Sequence, residues 1–591
     1  MKNKYLFLFT IGPVQSYIQQ SRKTRDLFAS SRILSLLSSC AMNALLERNE
    51  HNEIIFPYFE AEETEPSYPN RCIALVEESN ISEMGEDIEQ IVRNKYEEMA
   101  RQYIGEEANA VLLSEHLQVF WVFTEYQGDY EAAYRNLEEA MGMVKSLRIF
   151  KQDNNAEYKI RLKQDKRKLR KCNLCGERLV TQYNSSKNYK SNYKLTSYEG
   201  LCDICLLKRM YQSEKREEEF LSTSSIALAY WKRDMAQNTS FSKYYERIQD
   251  ILKEEFSDEI LYGNSISFDS THLQYGELKN LLAKIRDEQK NIGTLKRRYY
   301  ALLVFDGDNM GKWVSGEFFQ QKYREDGTGQ KKVSQLLGQY AKWTKTYLNM
   351  NQEELGSVVY AGGDDFMGFI PLDHLFKVVQ TLREKFEDMV NGPLCELKED
   401  QNKNISFSAG ICIAHYKTPL DKVISEARKQ EEIAKRNRST INSKEVDKDS
   451  FSISVLKRSG EHILSTLSFR TRKSENAVLN ILSAIMEKME SFSDNFIRVL
   501  DREWSGMEQV HKATGRESFL NRKKNMILSE TKRVLARSCL VEPDKAKEVI
   551  EDLYDKIKEF YETCCVQDTS FQNFISMLYI IEFLGRELND N

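Results

Sequence analysis

The chain has 591 residues and a formal net charge of −5, values that exclude a single hydrophobic core and a globally basic nucleic-acid binder. Charged residues make up 30% of the chain and hydrophobic residues 41%, a mixture typical of soluble multidomain proteins. No stretch approaches about 20 uninterrupted apolar residues, so we expect no membrane span. The 11 cysteines do not suggest a disulfide scaffold in a chain of this length, and we expect a cytoplasmic protein.

Residues 1–150 alternate between strand-like and helix-like segments. The stretches KYLFLFT, RCIALVE and LQVFWVFTEY are typical of strands, whereas the long stretch from Val14 to Arg48 is mostly helical. This order predicts a first palm-like α+β domain with an antiparallel sheet.

Residues 151–290 are predicted to form a zinc-binding, mostly helical domain. The candidate zinc ligands are Cys172, Cys175, Cys202 and Cys205, in the motifs CNLC and CDIC. Each motif can bring two thiolates to one ion, and the two motifs together complete a tetrahedral Zn²⁺ site. The intervening residues 176–201 exceed the common spacing, so an insert must separate the two loops. We therefore predict a structural zinc rather than a redox pair.

Other features of the sequence leave two interpretations open. The basic run from Lys159 to Lys171 is either a solvated helix face or a contact to an RNA backbone. Tyr189 and Tyr193, which alternate with lysines, could stack on bases. The remaining cysteines, including the adjacent Cys564 and Cys565, are interpreted as small core residues or inert thiols.

Residues 291–450 are predicted to form a second palm domain. The segments read in the order β-α-β-β-α-β-α, which is the ferredoxin-like order with one added helix. Residues 451–591 contain few prolines or glycines and are predicted to form an all-helical C-terminal domain. The expected fold class is α+β multidomain, with two ferredoxin-like palm domains, a zinc-binding helical insert and a helical C-terminal domain.

Two acidic motifs lie at strand ends of the predicted second palm. Asp306 follows the apolar strand ALLVF, and Asp364 and Asp365 follow two glycines in the hairpin SVVYAGGDDFMGFI. In a ferredoxin-like sheet the first strand lies beside this hairpin, so Asp306 is expected to face the other two carboxylates. Three such charges favour shared divalent cations, and two Mg²⁺ or Mn²⁺ ions can activate a hydroxyl and stabilise a leaving oxygen. Either motif alone could be a solvated turn.

Basic residues end the last predicted helix of this domain. Lys435, Arg436 and Arg438 suit the helix dipole at a C-terminus. They could equally contact triphosphate oxygens, Lys435 in particular.

Several motifs together resemble the large subunit of type III CRISPR effector complexes, in its Cmr branch. They occur in family order from Leu6 to His462 and comprise FTIGPVQSYIQQSRKTRDLFASSRILS, the cysteine pairs, LSTSSIALAYWKRD, YYALLVFDGDNMGKW, AGGDD, FSAGICIAHYKTPLDKVISEARKQEEIAK and VLKRSGEH. The GGDD hairpin also looks like the palm of nucleotide cyclases. The C-terminal helices carry no distinctive motif.

The resemblance implies an enzyme that makes adenylate second messengers, typically cyclic oligoadenylates, from ATP. Pairing of target RNA with a guide crRNA would switch it on, within a multisubunit Cmr complex that contains backbone, small and cap subunits. The implied catalytic and metal-binding residues are Asp306, Asp364 and Asp365. The implied nucleotide-binding residues are Gly307, Gly362, Gly363 and Lys435, and we expect Ser30 and Ser31 of the first palm near a second nucleotide.

Many relatives also carry an N-terminal HD nuclease domain. Here the palm-like motif starts within the first 12 residues, and none of the seven histidines precedes an aspartate. His374 instead follows Asp373 at a predicted helix start. We therefore expect no DNA cleavage by this chain.

Three other functions stay open at this point. The acceptor could be another adenosyl compound, such as S-adenosylmethionine, to which AMP is joined. The chain could be a non-catalytic scaffold, although Asp306, Asp364 and Asp365 disfavour this. It could be a stand-alone cyclase, which the zinc insert and the helical C-terminal region disfavour.

Overall fold

The structure is a computed structural model that describes most of the chain. The described residues are 3–60, 67–105, 113, 116–147, 170–184, 195, 198–211, 221–253, 256–263, 275–325, 327–349, 355–441, 444–470, 477–493, 495–510, 516–562 and 571–589.

The first αβ unit is built on a four-stranded antiparallel sheet in the order β2-β3-β1-β4. Its strands are β1 (Asn3–Gly12), β2 (Glu53–Phe56), β3 (Arg71–Glu78) and β4 (Gln118–Glu125). Its helices are α1 (Gln15–Gln19), α2 (Thr24–Arg48), α3 (Ile81–Ile104) and α4 (Tyr130–Ser146). The βαββαβ sequence and the strand order are ferredoxin-like, as predicted, although β2 was not foreseen.

The central strand β1 is apolar on both faces because both faces are covered. Phe7 and Phe9 pack with α2 and α3, whereas Leu6 and Leu8 pack toward α4 and the second αβ unit. A strand buried on both sides reads as a continuous hydrophobic run, which is what LFLF shows.

The first unit is followed by the cysteine segment, whose described residues are 170–184, 195 and 198–211, and then by four α-helices. Their elements are β5 (Gln182–Tyr183), β6 (Gly200–Leu201), α5 (Asp203–Met210), α6 (Thr223–Ala227), α7 (Ala229–Ala236), α8 (Thr239–Leu252) and α9 (Tyr275–Ile292). The cysteine segment shares the hydrophobic core of the first unit, whereas α7, α8 and α9 have a core of their own. The described part of residues 151–290 therefore does not pack as the single domain that was predicted, because its two halves bury their apolar faces against different neighbours.

The second αβ unit contains a six-stranded sheet in the order β14-β13-β10-β7-β9-β8. Its strands are β7 (Tyr299–Gly307), β8 (Ser357–Ala361), β9 (Asp365–Pro371), β10 (Phe407–His415), β13 (Ser450–Leu456) and β14 (His462–Ser468), and a separate hairpin is formed by β11 (Arg438–Ile441) and β12 (Lys444–Asp447). Its helices are α10 (Met310–Ser315), α11 (Gln321–Arg324), α12 (Thr328–Leu348), α13 (Leu375–Phe386), α14 (Gly392–Leu394) and α15 (Leu420–Lys435). Strands β7 to β10 have the predicted ferredoxin-like order.

The prediction that residues 451–591 are all helical is wrong at its start. Strands β13 and β14 extend the palm sheet, with β13 parallel to β10. All seven residues of β13 are buried, including three serines, because α15 covers one face of the strand. Ser452, for example, donates its hydroxyl to the Gln430 side chain at 2.6 Å.

The described residues from Ala477 onward are mainly helical, as predicted. The helices are α16 (Ala477–Lys488), α17 (Phe496–Val510), α18 (Arg516–Ser538), α19 (Pro543–Phe560) and α20 (Phe571–Asn589). Helix α20 lies against β14, where Asn573 exchanges two hydrogen bonds with the backbone of Thr466, at 2.6 and 2.8 Å. Among the described helices, none is long and apolar enough to cross a membrane.

Candidate active site and metal centre

The GGDD turn joins β8 to β9 at the edge of the palm sheet. Gly363 has a backbone φ of +90°, in the left-handed region that favours glycine. The N–H of Gly362 donates to the carbonyl of Asp365 at 3.0 Å and closes the turn. A Cβ atom at Gly362 would lie 1.9 Å from the Tyr360 hydroxyl. The turn therefore requires both glycines.

Asp306 and Asp365 lie opposite each other on the antiparallel strands β7 and β9. The N–H of Gly307 donates to the carbonyl of Asp364 at 2.9 Å, which ties the turn to the end of β7. The two acidic motifs are thus neighbours, as predicted. The side chains of Asp306 and Asp365 are 29% and 30% exposed, so they are half-buried.

Each of these two carboxylates is paired with a cation from α15. Lys435 forms an ion pair with Asp306, and the Arg428 guanidinium lies 3.3 Å from Asp365. Glu431 lies between the two cations, 3.0 Å from Arg428 and 3.3 Å from Lys435. The spacing i, i+3, i+7 places the three side chains on one face of the helix.

A glycine in β10 sets the position of α15. A Cβ atom at Gly410 would lie 2.1 Å from the carbonyl oxygen of Ala427 and 2.3 Å from the backbone nitrogen of Glu431. The helix can therefore pack directly on the strand only because Gly410 lacks a side chain. This contact holds Arg428 and Lys435 above the strand ends.

A cavity of about 650 Å³ opens beside the carboxylate pair, between the two αβ units. The first unit contributes Val14, Gln15, Ile18, Gln19, Ser31, Leu34, Tyr68 and Asn70. The second unit contributes Asp306, Val359, Tyr360, Asp365 and Met367, together with Ile424, Ser425, Arg428, Lys429, Glu431, Glu432 and Lys435 of α15. The volume lies within the range of about 300–1,000 Å³ that is common for small-molecule sites.

The structure brings Ser31 and Lys435 to this cavity but not Ser30. Ser30 is fully buried and donates its hydroxyl to the carbonyl of Asp26 at 2.6 Å. Successive residues of a helix point about 100° apart, so only one of the two serines can face the cavity.

Gly307, Gly362, Gly363 and Asp364 do not line the large cavity. Two of them, Gly362 and Gly363, border a pocket of about 30 Å³ behind the turn. Among the described residues, the three carboxylates also do not form the compact group of ligand atoms that the four cysteines form. Asp306 and Asp365 are instead each paired with a cation of α15.

The electrostatics of the carboxylates favour a divalent cation. Burial, together with the charges of Asp364 and Asp365, raises the pKa of Asp306 to about 8, although Lys435 opposes this shift. Burial and Asp365 likewise raise the pKa of Asp364 to about 6. A divalent cation relieves such repulsion, and carboxylate oxygens are ligands that Mg²⁺ and Mn²⁺ accept. Asp306 and Asp365 are the side chains that would hold the ion in the cavity, with Asp364 beside them.

These pKa values predict that Mn²⁺ binds more tightly as the pH rises from 6 to 8. Because the pKa of Asp306 is raised to about 8, its carboxyl group takes up a proton more readily as the pH falls, and metal binding must release that proton. The apparent affinity should therefore fall by up to about tenfold for each pH unit below 8. Titration calorimetry in two buffers of different ionisation enthalpy counts the released protons, and a count of zero at pH 7 would contradict the prediction.

Asp308 has a structural role, although it belongs to the same motif. It is buried and accepts hydrogen bonds from the hydroxyls of Ser406 and Ser408, at 2.8 and 2.9 Å. It also accepts one from the N–H of Asp449 at 3.0 Å. These bonds connect the end of β7 to the start of β13.

The four cysteines meet at one point, as predicted. The sulfur atoms of Cys172, Cys175, Cys202 and Cys205 all lie within 4.8 Å of one another. The sulfurs of Cys175 and Cys202 are 3.9 Å apart, close to the separation of about 3.8 Å that tetrahedral Zn–S bonds impose. All four thiols are free, and four thiolates leave no open coordination position. The residues therefore fit a structural zinc ion.

Arg428 and Glu431 were not predicted from the sequence as site residues. Gly410 within an apolar strand was a usable signal, because such a glycine often marks the close approach of another backbone. The predicted RNA contacts at residues 159–169, Tyr189 and Tyr193 lie outside the described residues, and so do Cys564 and Cys565.

The ferredoxin-like fold with carboxylates at its strand ends defines a palm of the nucleotidyltransferase and cyclase type. Comparison with protein families agrees: residues 299–443 match "Cas10/Cmr2, second palm domain", and residues 6–101 match "CRISPR-associated protein Cmr2, N-terminal". Two separate parts of the chain thus match models of the Cas10/Cmr2 family, and the matches support a relationship to its type III-B members.

Individual relatives are distant. The chain is 25% identical to the CRISPR system Cmr subunit Cmr2 of Pyrococcus furiosus, over 79% of this chain and 63% of that protein. It is 24% identical to the single-strand-specific deoxyribonuclease Cas10/Csm1 of Streptococcus thermophilus, over 41% of this chain and 30% of that protein. The chain thus spans less than two thirds of either relative.

Two solved structures of a type III-B Cmr-beta complex share the fold. One is the apo state and the other is bound to cognate target RNA. For each, the TM-score is 0.65, the sequence identity is 14%, and the match covers 99% of this chain. The match covers 82% of the apo chain and 83% of the chain bound to target RNA.

Proposed function

We propose that this chain is the ATP-using subunit of an RNA-guided type III-B effector complex. The observation that carries the proposal is the meeting of Asp306 and Asp365 with Arg428 and Lys435 at one cavity between the two αβ units. The relationship to the Cas10/Cmr2 family provides the setting: a guide crRNA, a target RNA, and backbone, small and cap subunits, in the cytoplasm. The Cmr-beta structure with target RNA supports this setting.

In the proposed reaction, the ribose hydroxyl of one ATP attacks the α-phosphorus of another. A new O–P bond forms, the bond between the α-phosphorus and the oxygen that bridges it to the β-phosphorus breaks, pyrophosphate leaves, and the proton of the hydroxyl passes to solvent. Bound Mg²⁺ or Mn²⁺ would lower the pKa of the attacking hydroxyl and neutralise phosphate charge.

The residues of the chain have separate roles in this proposal. Asp306, Asp364 and Asp365 hold the ions. Lys435 and Arg428 leave the carboxylates and contact phosphate oxygens, for which both are suitable partners. On the opposite wall, the first unit, through residues such as Ser31, holds the acceptor nucleotide. Repeated transfer and ring closure give a cyclic oligoadenylate.

Mass spectrometry of the products tests the proposal. The assembled complex would receive ATP, Mn²⁺ and target RNA, with and without S-adenosylmethionine. We expect cyclic oligoadenylates that depend on target RNA. A conjugate of AMP with S-adenosylmethionine would keep the nucleotidyl transfer but change the acceptor. No adenylate product from a complex that binds target RNA would contradict the proposal and favour a scaffold.

Replacing Lys435 with methionine should lower kcat/KM for ATP by about 10²-fold, because a charged donor to the reacting phosphates is lost. Arg436→Met is the matched control, since its side chain is 81% exposed and lies one residue further along. Pyrophosphate release by the two variants checks this. Equal losses in both would refute a specific role for Lys435.

A further inference from the structure

Helix α1 forms part of the cavity wall but is too short to be stable by itself. It has five residues, Gln15–Gln19, and no side chain caps its N-terminus. A helix this short is unstable without tertiary contacts. Nevertheless Gln15, Ile18 and Gln19 line the cavity, where α1 packs against α15.

A buried polar contact from the cysteine segment adds to the packing of α1 on α2 and α15. Lys208 of α5 is 0% exposed, and its ammonium group donates to the backbone carbonyls of Tyr17 and Gln20, the latter at 3.3 Å. The same ammonium group lies 3.9 Å from the centre of the Tyr17 ring. Carbonyls at a helix C-terminus lack partners within the helix, so Lys208 caps α1 from another element.

The next residue of α5 holds the start of α2. Arg209 is buried and forms two hydrogen bonds with Asp26 in the first turn of α2, at 2.6 and 2.9 Å. It forms two more with Glu199, at 3.0 and 3.1 Å. Consecutive residues of α5 thus fix the end of α1 and the beginning of α2, and Ser31 of α2 also lines the cavity.

The four-cysteine centre in turn positions α5. Cys202 is the residue before the helix and Cys205 lies in its first turn. The helix has eight residues and packs on α2 and α3, and the two cysteines add a hold at its first turn. A chain of direct contacts therefore runs from the cysteines through α5 and Lys208 to α1 and the cavity.

We propose that Lys208 is a positioning residue of the nucleotide cavity, and that metal occupancy at the four cysteines is coupled through it to nucleotide affinity. The nucleotide part of this inference rests on the proposed function. Such coupling is reciprocal, so bound nucleotide should also slow the loss of zinc.

The first test compares Lys208→Met with Lys398→Met in the full chain. Lys398 is a matched control: it is 1% exposed, bonds Asn391 and Asn404 in the second unit, and does not line the cavity. Binding of the ATP analogue AMPPNP with Mn²⁺ is measured together with zinc content and thermal unfolding. We expect about tenfold weaker binding for Lys208→Met, and wild-type affinity for Lys398→Met. Wild-type affinity in a folded, zinc-containing Lys208→Met variant would overturn the inference.

The second test needs no variant and therefore does not depend on how Lys208→Met folds. Hydrogen exchange of residues 14–21 is followed in wild-type protein before and after a chelator removes zinc. We expect these amides to lose protection together with residues 198–211, while β7 keeps its protection. Unchanged protection of residues 14–21 after zinc loss would overturn the inference. If wild-type protein takes no AMPPNP, the proposed function fails, and the exchange measurement still decides the positioning role.

Discussion

Replacing Asp364 and Asp365 together with alanine should abolish adenylate synthesis. The double variant loses two of the three proposed metal ligands, one of which lines the cavity. Metal ions supply several kcal/mol of transition-state stabilisation, so the rate should fall by about 10³-fold or more. The measurement is product formation from labelled ATP by complexes assembled with either form of the subunit.

The fold should survive this double substitution. Arg428 loses its contact with Asp365 but keeps its ion pair with Glu431 at 3.0 Å, so no buried cation is left without a partner. Removing two mutually repelling carboxylates costs little stability. The matched control is Glu399→Ala with Asp400→Ala, an adjacent and exposed acidic pair of the same unit, which should keep full synthesis. Full synthesis by the Asp364/Asp365 variant would refute the site, and loss of complex assembly would favour a structural role.

Replacing Cys202 with serine should remove zinc and unfold the cysteine segment. Structural zinc contributes about 10–16 kcal/mol of apparent binding free energy in zinc-finger peptides, and that free energy is folding free energy. Because Cys172, Cys202 and Cys205 are part of the core of the first unit, we expect the loss to lower the stability of that unit as well.

Cys72→Ser provides the control for the zinc prediction. Cys72 is equally buried in the same core but lies outside the four-cysteine group. This variant should keep its zinc and lose only modest stability. Metal analysis and thermal unfolding of both variants check the prediction, and full zinc content in Cys202→Ser would contradict it.

The carboxylates at the strand ends and the four-cysteine site could be predicted from the sequence because each depends on a short local motif. An apolar strand leads to Asp306, and a hairpin has Asp365 at its turn. Once the ferredoxin-like order is assumed, the two motifs lie on neighbouring strands. Two CxxC loops specify four converging thiols without knowledge of the rest of the fold. Both predicted arrangements are found in the structure.

The missed features depend on contacts between distant segments. Arg428 and Glu431 become functional candidates only when α15 is known to cross β10 at Gly410. Ser30 and Ser31 could not be separated without knowing which face of α2 meets the cavity. Strand β13 alternates serine with apolar residues, a visible period of two, but its burial on both faces depends on α15 and on the C-terminal helices.

A crystal of the chain with Mn²⁺ and AMPPNP gives the most direct test of the proposed site. Anomalous scattering locates the ion independently of the refined side chains. We expect an anomalous peak about 2 Å from carboxylate oxygens of Asp306 and Asp365, inside the cavity, with Lys435 moved onto phosphate. Bound AMPPNP without Mn²⁺ at these carboxylates, and with Arg428 and Lys435 still paired to them, would contradict a metal-dependent nucleotidyl transfer at this site.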